Sequence, residues 1–154
     1  MPDCPPREER PWGNIVPAIL NDARFVVEVH LHSGEKPIPP HTFVYKAAKN
    51  ARLANYVESM ARAALVARVV HLAAGDALVD ELEHIAPKAL ELEHPAIAIE
   101  TATLEGNESA EAAQLRKGLL NLLRHLKMAP GAVSWQNSVQ RLSFASVRES
   151  ILSQ

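Results

Sequence analysis

Three polar side chains share one face of the most strand-like segment of the chain, residues 24–32. Glu28, His30 and His32 stand at two-residue spacing, and side chains two apart on a strand point to the same side. Two imidazoles projected to one side are suitable ligands for zinc or another borderline metal. With His41 beyond the following turn, the predicted metal site is His30, His32 and His41. The alternative is a solvent-exposed strand face, because histidines at this spacing often bind nothing.

Two Glu-x-x-His pairs form a second grouping, Glu81 with His84 and Glu91 with His94. Residues three apart share one side of a helix, and di-iron bundles use such pairs on two separate helices. Here Pro87 lies between the two copies, and both fall in the most acidic part of the chain. We therefore interpret them as charged helix surface.

Basic side chains on two predicted helices form the third grouping. Its members are Lys46, Lys49, Arg52, Arg116, Lys117 and Arg124. If the two helices present one continuous face, these cations are able to contact the phosphates of a nucleic acid. The alternative is pairing with the acidic block 75–111, which has a net charge of −9, against +4 for residues 42–74 and +5 for residues 112–154.

The longest helical pattern runs over residues 42–74, which contain neither Gly nor Pro. Its apolar residues recur at three- and four-residue spacing, which gathers them on one face. This face exceeds what a small sheet and two shorter helices readily cover, and exposed apolar patches usually mark contacts. The residues predicted to bind a protein partner or a second copy are Leu53, Val57, Met60 and Leu65.

The remaining elements follow from shorter patterns. Helices are predicted over 76–93, broken or kinked at Pro87, and over 108–128. Alternation predicts strands over 24–32 and 96–104 as possible partners. The apolar face of the first strand, expected to be buried, consists of Phe25, Val27, Val29 and Leu31. The segment 132–154 is compatible with either a strand or a helix.

The predicted fold is α+β and mainly α: one long amphipathic helix packed with two or three further helices and a small β-sheet. Residues 1–14, with four prolines, are predicted to form an irregular arm, and residues 15–154 a single helical α+β domain. A single cysteine, Cys4, suits a reducing compartment. No signal peptide and no apolar run of about 20 residues is visible, so a soluble, cytoplasmic protein without a membrane partner is expected.

The amphipathic helices and the segregated charges favour a non-catalytic helical subunit or interaction domain within a homo- or hetero-oligomeric assembly, acting without a cofactor. Two alternatives stay open. One is a small metal-dependent enzyme that uses the His-x-His strand site. The other is a nucleic-acid-binding subunit that uses the basic helices 42–74 and 108–128.

Overall fold

The computed structural model describes residues 15–34, 38–46, 50–73, 82, 84–104, 110–143 and 145–147, so the predicted arm 1–14 lies outside the described residues. The elements follow one another in the order α1 (Ile15–Asp22), β1 (Val26–Gly34), β2 (Ile38–Tyr45), α2 (Ala51–Ala63), β3 (Arg68–Leu72), α3 (Ala86–Glu91), β4 (Ala96–Leu104), α4 (Ala110–His125) and β5 (Gln140–Leu142). Within the described residues, no helix is both long enough and apolar enough to cross a membrane.

One mixed sheet organises the fold, with the strand order β1-β4-β2-β3-β5. β4 is parallel to β1 and antiparallel to β2, whereas β3 is parallel to both β2 and β5. Helices lie on both faces of this sheet, which is an α/β arrangement. The prediction of a mainly helical α+β domain is therefore wrong.

No helix runs from 42 to 74. β2 ends at Tyr45 and α2 begins after Asn50, whose Oδ1 accepts the N–H groups of Arg52 and Leu53 at 3.1 and 3.2 Å. α2 stops before Leu65, which adopts a left-handed φ of 56°. The next element of the chain is then a strand.

The long-helix prediction fails because its two ends are buried strands. Residues 42–45 and 68–72 are rich in β-branched and aromatic side chains, which favour strands. Residues 42–45 are all buried, and so are Val69, Val70 and Leu72 in the second segment, so neither segment shows the polar alternation that identifies a half-exposed strand. A short apolar run of this kind fits a helical pattern as well as a strand.

Other elements agree with the sequence patterns. The strands predicted over 24–32 and 96–104 are β1 and β4, and they are partners. The helix predicted over 108–128 is α4. The break at Pro87 is confirmed, because α3 starts at Ala86 with the proline in its first turn, where a missing N–H costs nothing. Residues 140–142 of the ambiguous C-terminal segment pair with β3.

The two faces of the sheet have different coverings. α2 and α4 pack together on one face, where Glu58 Oε1 of α2 lies 2.6 Å from His71 Nε2 of β3. Phe43 points to the other face, where its ring lies 5.0 Å from the ring of His84, just before α3. β1 stands at the edge, so Val29 and Leu31 are 39% and 59% exposed. The expected burial of these two side chains is therefore wrong.

Candidate metal centre

A row of polar residues crosses the sheet on the face that carries α3. His30 of β1 pairs with Glu100 of β4, Glu100 pairs with His41 of β2, and His41 pairs with Arg68 of β3. Paired residues on neighbouring strands point to the same face. Glu100 and His41 are only 4% and 6% exposed. The sheet thus gathers two imidazoles, a carboxylate and a guanidinium from four strands.

Three potential metal ligands converge at the β1 end of this row. One nitrogen each of His30 and His32 and one carboxylate oxygen of Glu100 all lie within 4.8 Å of one another. His32 Nε2 and Glu100 Oε2 are buried, and neither has a hydrogen-bond partner in the described part of the chain. Buried polar atoms are normally satisfied, so two such atoms in one cluster fit a cation. Two imidazoles and a carboxylate suit zinc and similar divalent ions.

Glu28 supports His30 from the same strand. Glu28 Oε1 lies 2.6 Å from His30 Nε2, and its side chain is 8% exposed. An ionised carboxylate only accepts hydrogen bonds, so His30 donates through Nε2, and the neutral imidazole then carries its lone pair on Nδ1. Glu28 Oε2 accepts the N–H groups of Ile85 and Ala86 at 2.6 and 3.0 Å. A carboxylate behind a metal-binding histidine is a common arrangement that fixes the imidazole tautomer.

His84 is hydrogen-bonded to Glu100, as Glu28 is to His30. His84 Nε2 is 2.9 Å from Glu100 Oε1, and His84 Nδ1 is 2.6 Å from the hydroxyl oxygen of Tyr45. The side chain of His84 is fully buried. The interpretation of this histidine as charged helix surface is therefore wrong, because His84 precedes α3 and turns into the sheet. Its sequence partner Glu81 lies outside the described residues.

Glu100 was missed by the sequence patterns, although a signal for it exists. The strand residues on either side of it along the same face, Ala98 and Ala102, are small and fully buried. A single carboxylate in such a strand is costly to bury unless it is paired or binds a cation. That burial cost marks Glu100 as a candidate functional residue.

His41, the third predicted ligand, lies outside the cluster of ligand atoms. Its Nδ1 donates to the Pro39 carbonyl at 2.7 Å. Burial lowers the pKa of His41, and the neighbouring Arg68 lowers it further, whereas the Pro39 carbonyl and Glu100 act in the opposite direction. The set His30, His32 and His41 stays a prediction, and the geometry brings His30 and His32 together with Glu100 instead.

The lowered pKa of His41 gives a pH dependence of stability. The unfolded chain binds more protons wherever the pH lies between the folded pKa and 6.5, so stability falls as the pH drops through that window and is fully present above it. We expect His41→Gln to flatten this decline in metal-free protein. The measurement is the urea midpoint between about pH 7.5 and about pH 5. The control is His94→Gln, which replaces a half-buried histidine elsewhere in the chain. The expectation would be contradicted if the urea midpoint changed with pH by the same amount in the wild type and in both variants.

The residues predicted to bind a partner lie mostly inside the chain. Leu53, Val57 and Met60 are 8%, 1% and 0% exposed, and Leu65 is half-buried. Leu53, Val57 and Met60 line the side of α2 that packs on the sheet and on α4. The apolar stripe read from the sequence is real, but its contacts are intramolecular.

The predicted basic patch is divided. α2 and α4 are antiparallel, because Ser59 bonds to His125 and Ala64 meets Gly118. Arg52 therefore lies roughly 20 Å along the helix axis from Arg116. Lys117 is beside Arg116, Arg124 donates to the Pro130 carbonyl at 3.0 Å, and Lys46 is exposed. Lys49 lies outside the described residues.

Solved structures share this fold. The product-bound ectoine utilization protein EutE (DoeB) of Ruegeria pomeroyi has a TM-score of 0.65 and 20% identity over 93% of this chain and 42% of that chain. A succinylglutamate desuccinylase from a Silicibacter species has a TM-score of 0.63 and 19% identity over 84% of this chain and 38% of that chain. A succinylglutamate desuccinylase/aspartoacylase from Rhodobacter sphaeroides has a TM-score of 0.60 and 16% identity over 84% and 37%.

The chain thus spans about two fifths of the length of the proteins it resembles. No protein-family model and no curated protein matches it. At these identities the likeness establishes a shared fold. Because that fold is α/β and the similar structures include proteins named as enzymes, the predicted non-catalytic helical subunit, a protein–protein interaction module, is wrong.

Proposed function

We propose that this chain contributes to a metal-dependent hydrolase centre that cleaves the amide bond of an N-acylated amino acid. The observation that carries the proposal is the cluster of His30, His32 and Glu100, with two buried atoms that have no hydrogen-bond partner in the described residues. The fold supports the reaction class, because succinylglutamate desuccinylases share it. The activity of a whole enzyme goes beyond the two fifths of those proteins that the chain spans.

The residues of the centre divide the work. A divalent metal, when bound, supplies Lewis acidity toward an acyl carbonyl and toward water. His30 and His32 would hold it, with Glu28 keeping the His30 tautomer fixed. Glu100 Oε2 is buried without a hydrogen-bond partner in the described residues, and the carboxylate lies beside both histidines. Its negative charge there would strengthen metal binding, and it is suited to accept a proton from an attacking water, because a general base acts from hydrogen-bond distance.

Arg68 favours an anionic substrate. It lies on the same face as Glu100, two strands away, and is half-buried. Among the described residues it makes no ion pair. A partly buried guanidinium without a counter-ion attracts a carboxylate, which it can bind with two parallel hydrogen bonds. N-acylated amino acids provide at least one carboxylate.

Metal binding is the first test. The protein is stripped with a chelator and titrated with Zn²⁺ by calorimetry and with Co²⁺ by visible absorption. We expect one site in the wild type, and an affinity at least about tenfold lower in His32→Ala, because a ligand is lost. The matched control is His71→Ala, which removes a histidine from the opposite face that pairs with Glu58. Equal binding by His32→Ala and the wild type would reject this centre.

Hydrolysis is the second test. N-succinylglutamate and N-acetylaspartate are offered to the Zn²⁺-loaded protein, and release of the free amino acid is followed. Glu100→Gln is expected to reduce the rate about 100-fold or more, which is the usual effect of losing a general base. Metal binding without hydrolysis of either compound would reject the proposed substrate class and leave the metal centre standing.

A further inference from the structure

We propose that Tyr45 and His84 are positioning residues that hold the Glu100 carboxylate with Oε2 turned toward the ligand cluster. The inference rests on the proposed metal centre and adds to it two residues that touch neither the metal nor the substrate. It starts from the hydrogen-bonded series Tyr45 Oη, His84 Nδ1, His84 Nε2 and Glu100 Oε1.

The direction of each hydrogen bond follows from the last member of the series. An ionised Glu100 only accepts, so His84 donates through Nε2. In the neutral imidazole Nδ1 then accepts, and the Tyr45 hydroxyl is its donor. Tyr45 thus selects the one His84 tautomer that is able to donate to Glu100. This resembles the way a third group orients a base in hydrolytic triads.

Packing keeps the His84 ring in place. The ring lies 4.9 Å from the His30 ring and 5.0 Å, edge-on, from Phe43. The Tyr45 ring stands perpendicular to it at 5.9 Å. With the side chain fully buried, a flip of the imidazole would break two buried hydrogen bonds, each costly to leave unmade. The hydrogen bond from His84 therefore fixes Glu100 Oε1. Oε2, which has no hydrogen-bond partner among the described residues, is the oxygen available to the ligand cluster.

One short turn serves both carboxylates of the site. His84 holds Glu100, and the next two backbone N–H groups, of Ile85 and Ala86, hold Glu28 Oε2. Glu28 Oε1 in turn holds His30. The turn 84–86 therefore orients groups on β1 and β4 at once. Losing such outer partners typically lowers metal affinity or activity by 10- to 100-fold.

The test combines nitrogen-15 NMR of the histidine rings with metal titration. In metal-free wild type, His84 is expected as the pure Nε2–H tautomer. Tyr45→Phe keeps the buried ring and removes only the hydroxyl, so we expect a mixture of tautomers and an affinity for Zn²⁺ about tenfold lower. Tyr56→Phe, at a half-exposed tyrosine, is the control and is expected to change neither quantity.

Two variants of His84 separate positioning from packing. His84→Gln keeps an N–H donor, whereas His84→Leu keeps the volume and loses the donor. We expect the two variants to unfold at the same temperature, and His84→Gln to bind Zn²⁺ more tightly than His84→Leu. If His84→Leu fails to fold, Tyr45→Phe decides. Wild-type tautomer and wild-type affinity in Tyr45→Phe would overturn the positioning role and leave the proposed function intact, whereas a wild type that binds no metal would overturn both.

Discussion

Replacing Met60 with lysine is expected to unfold the protein rather than to separate one molecule from another. Met60 is fully buried in α2, on the side that faces the sheet and α4. Lysine at this position would place a charge in an apolar core without a partner, which is far costlier than the loss of packing alone. Because truncating a buried Met to Ala already costs about 2–5 kcal/mol, and domains are stable by about 5–15 kcal/mol, most of the stability should be lost.

Circular dichroism against temperature and sedimentation velocity measure the two effects separately. Asn55→Lys adds the same charge to the exposed side of the same helix and is expected to leave the melting curve nearly unchanged. A Met60→Lys protein that stays folded while its mass in solution falls would restore the apolar stripe of α2 as an intermolecular contact.

Gly118→Ala should destabilise the protein, although the same substitution stabilises most helices. An alanine in a helix interior is normally favoured over glycine by about 1 kcal/mol. At Gly118 an added Cβ would lie 2.0 Å from the Ala64 carbonyl oxygen. That obstacle is backbone at the end of α2, so no rotamer change relieves it, and α2 and α4 would have to move apart. We expect a loss of about 3 kcal/mol, at the upper end of the usual overpacking cost.

Urea unfolding of Gly118→Ala beside Lys117→Ala is the measurement. Lys117 is the exposed neighbour in the same helix, so its replacement reports helix propensity without the steric effect. A Gly118→Ala protein as stable as the wild type, or more so, would mean that the two helices do not approach as closely as described.

Local patterns predicted the elements whose surfaces are divided between core and solvent. Alternation identified β1 and placed His30 and His32 on one face, and a helical pattern over 108–128 identified α4. The same patterns failed for strands that are covered on both faces. β2 is buried from His41 to Tyr45, and Arg68 and His71 in β3 do not alternate with its apolar residues, so the local sequence did not separate either strand from the helix between them.

The missing parts of the site depend on tertiary contacts. His84 and Glu100 are joined because a turn before α3 is folded back over β4, and no spacing rule encodes that. Asn121 is a polar residue in α4, yet it is 2% exposed and donates to the carbonyls of Ala63 and Ser134. Polar residues that replace missing backbone partners inside a protein look like surface residues in a sequence.

The pairing of β1 with β4 links the candidate site to folding thermodynamics. His30 and Glu100 are distant in the chain and become neighbours only through this parallel pair, so an unfolded chain has no comparable site. A ligand that binds the native state alone shifts the folding equilibrium by mass action, by about 2.7 kcal/mol when its free concentration is 100 times its dissociation constant. For a protein of marginal stability that shift is large. Metal supply would then govern how much folded protein exists, in addition to how much of it is active.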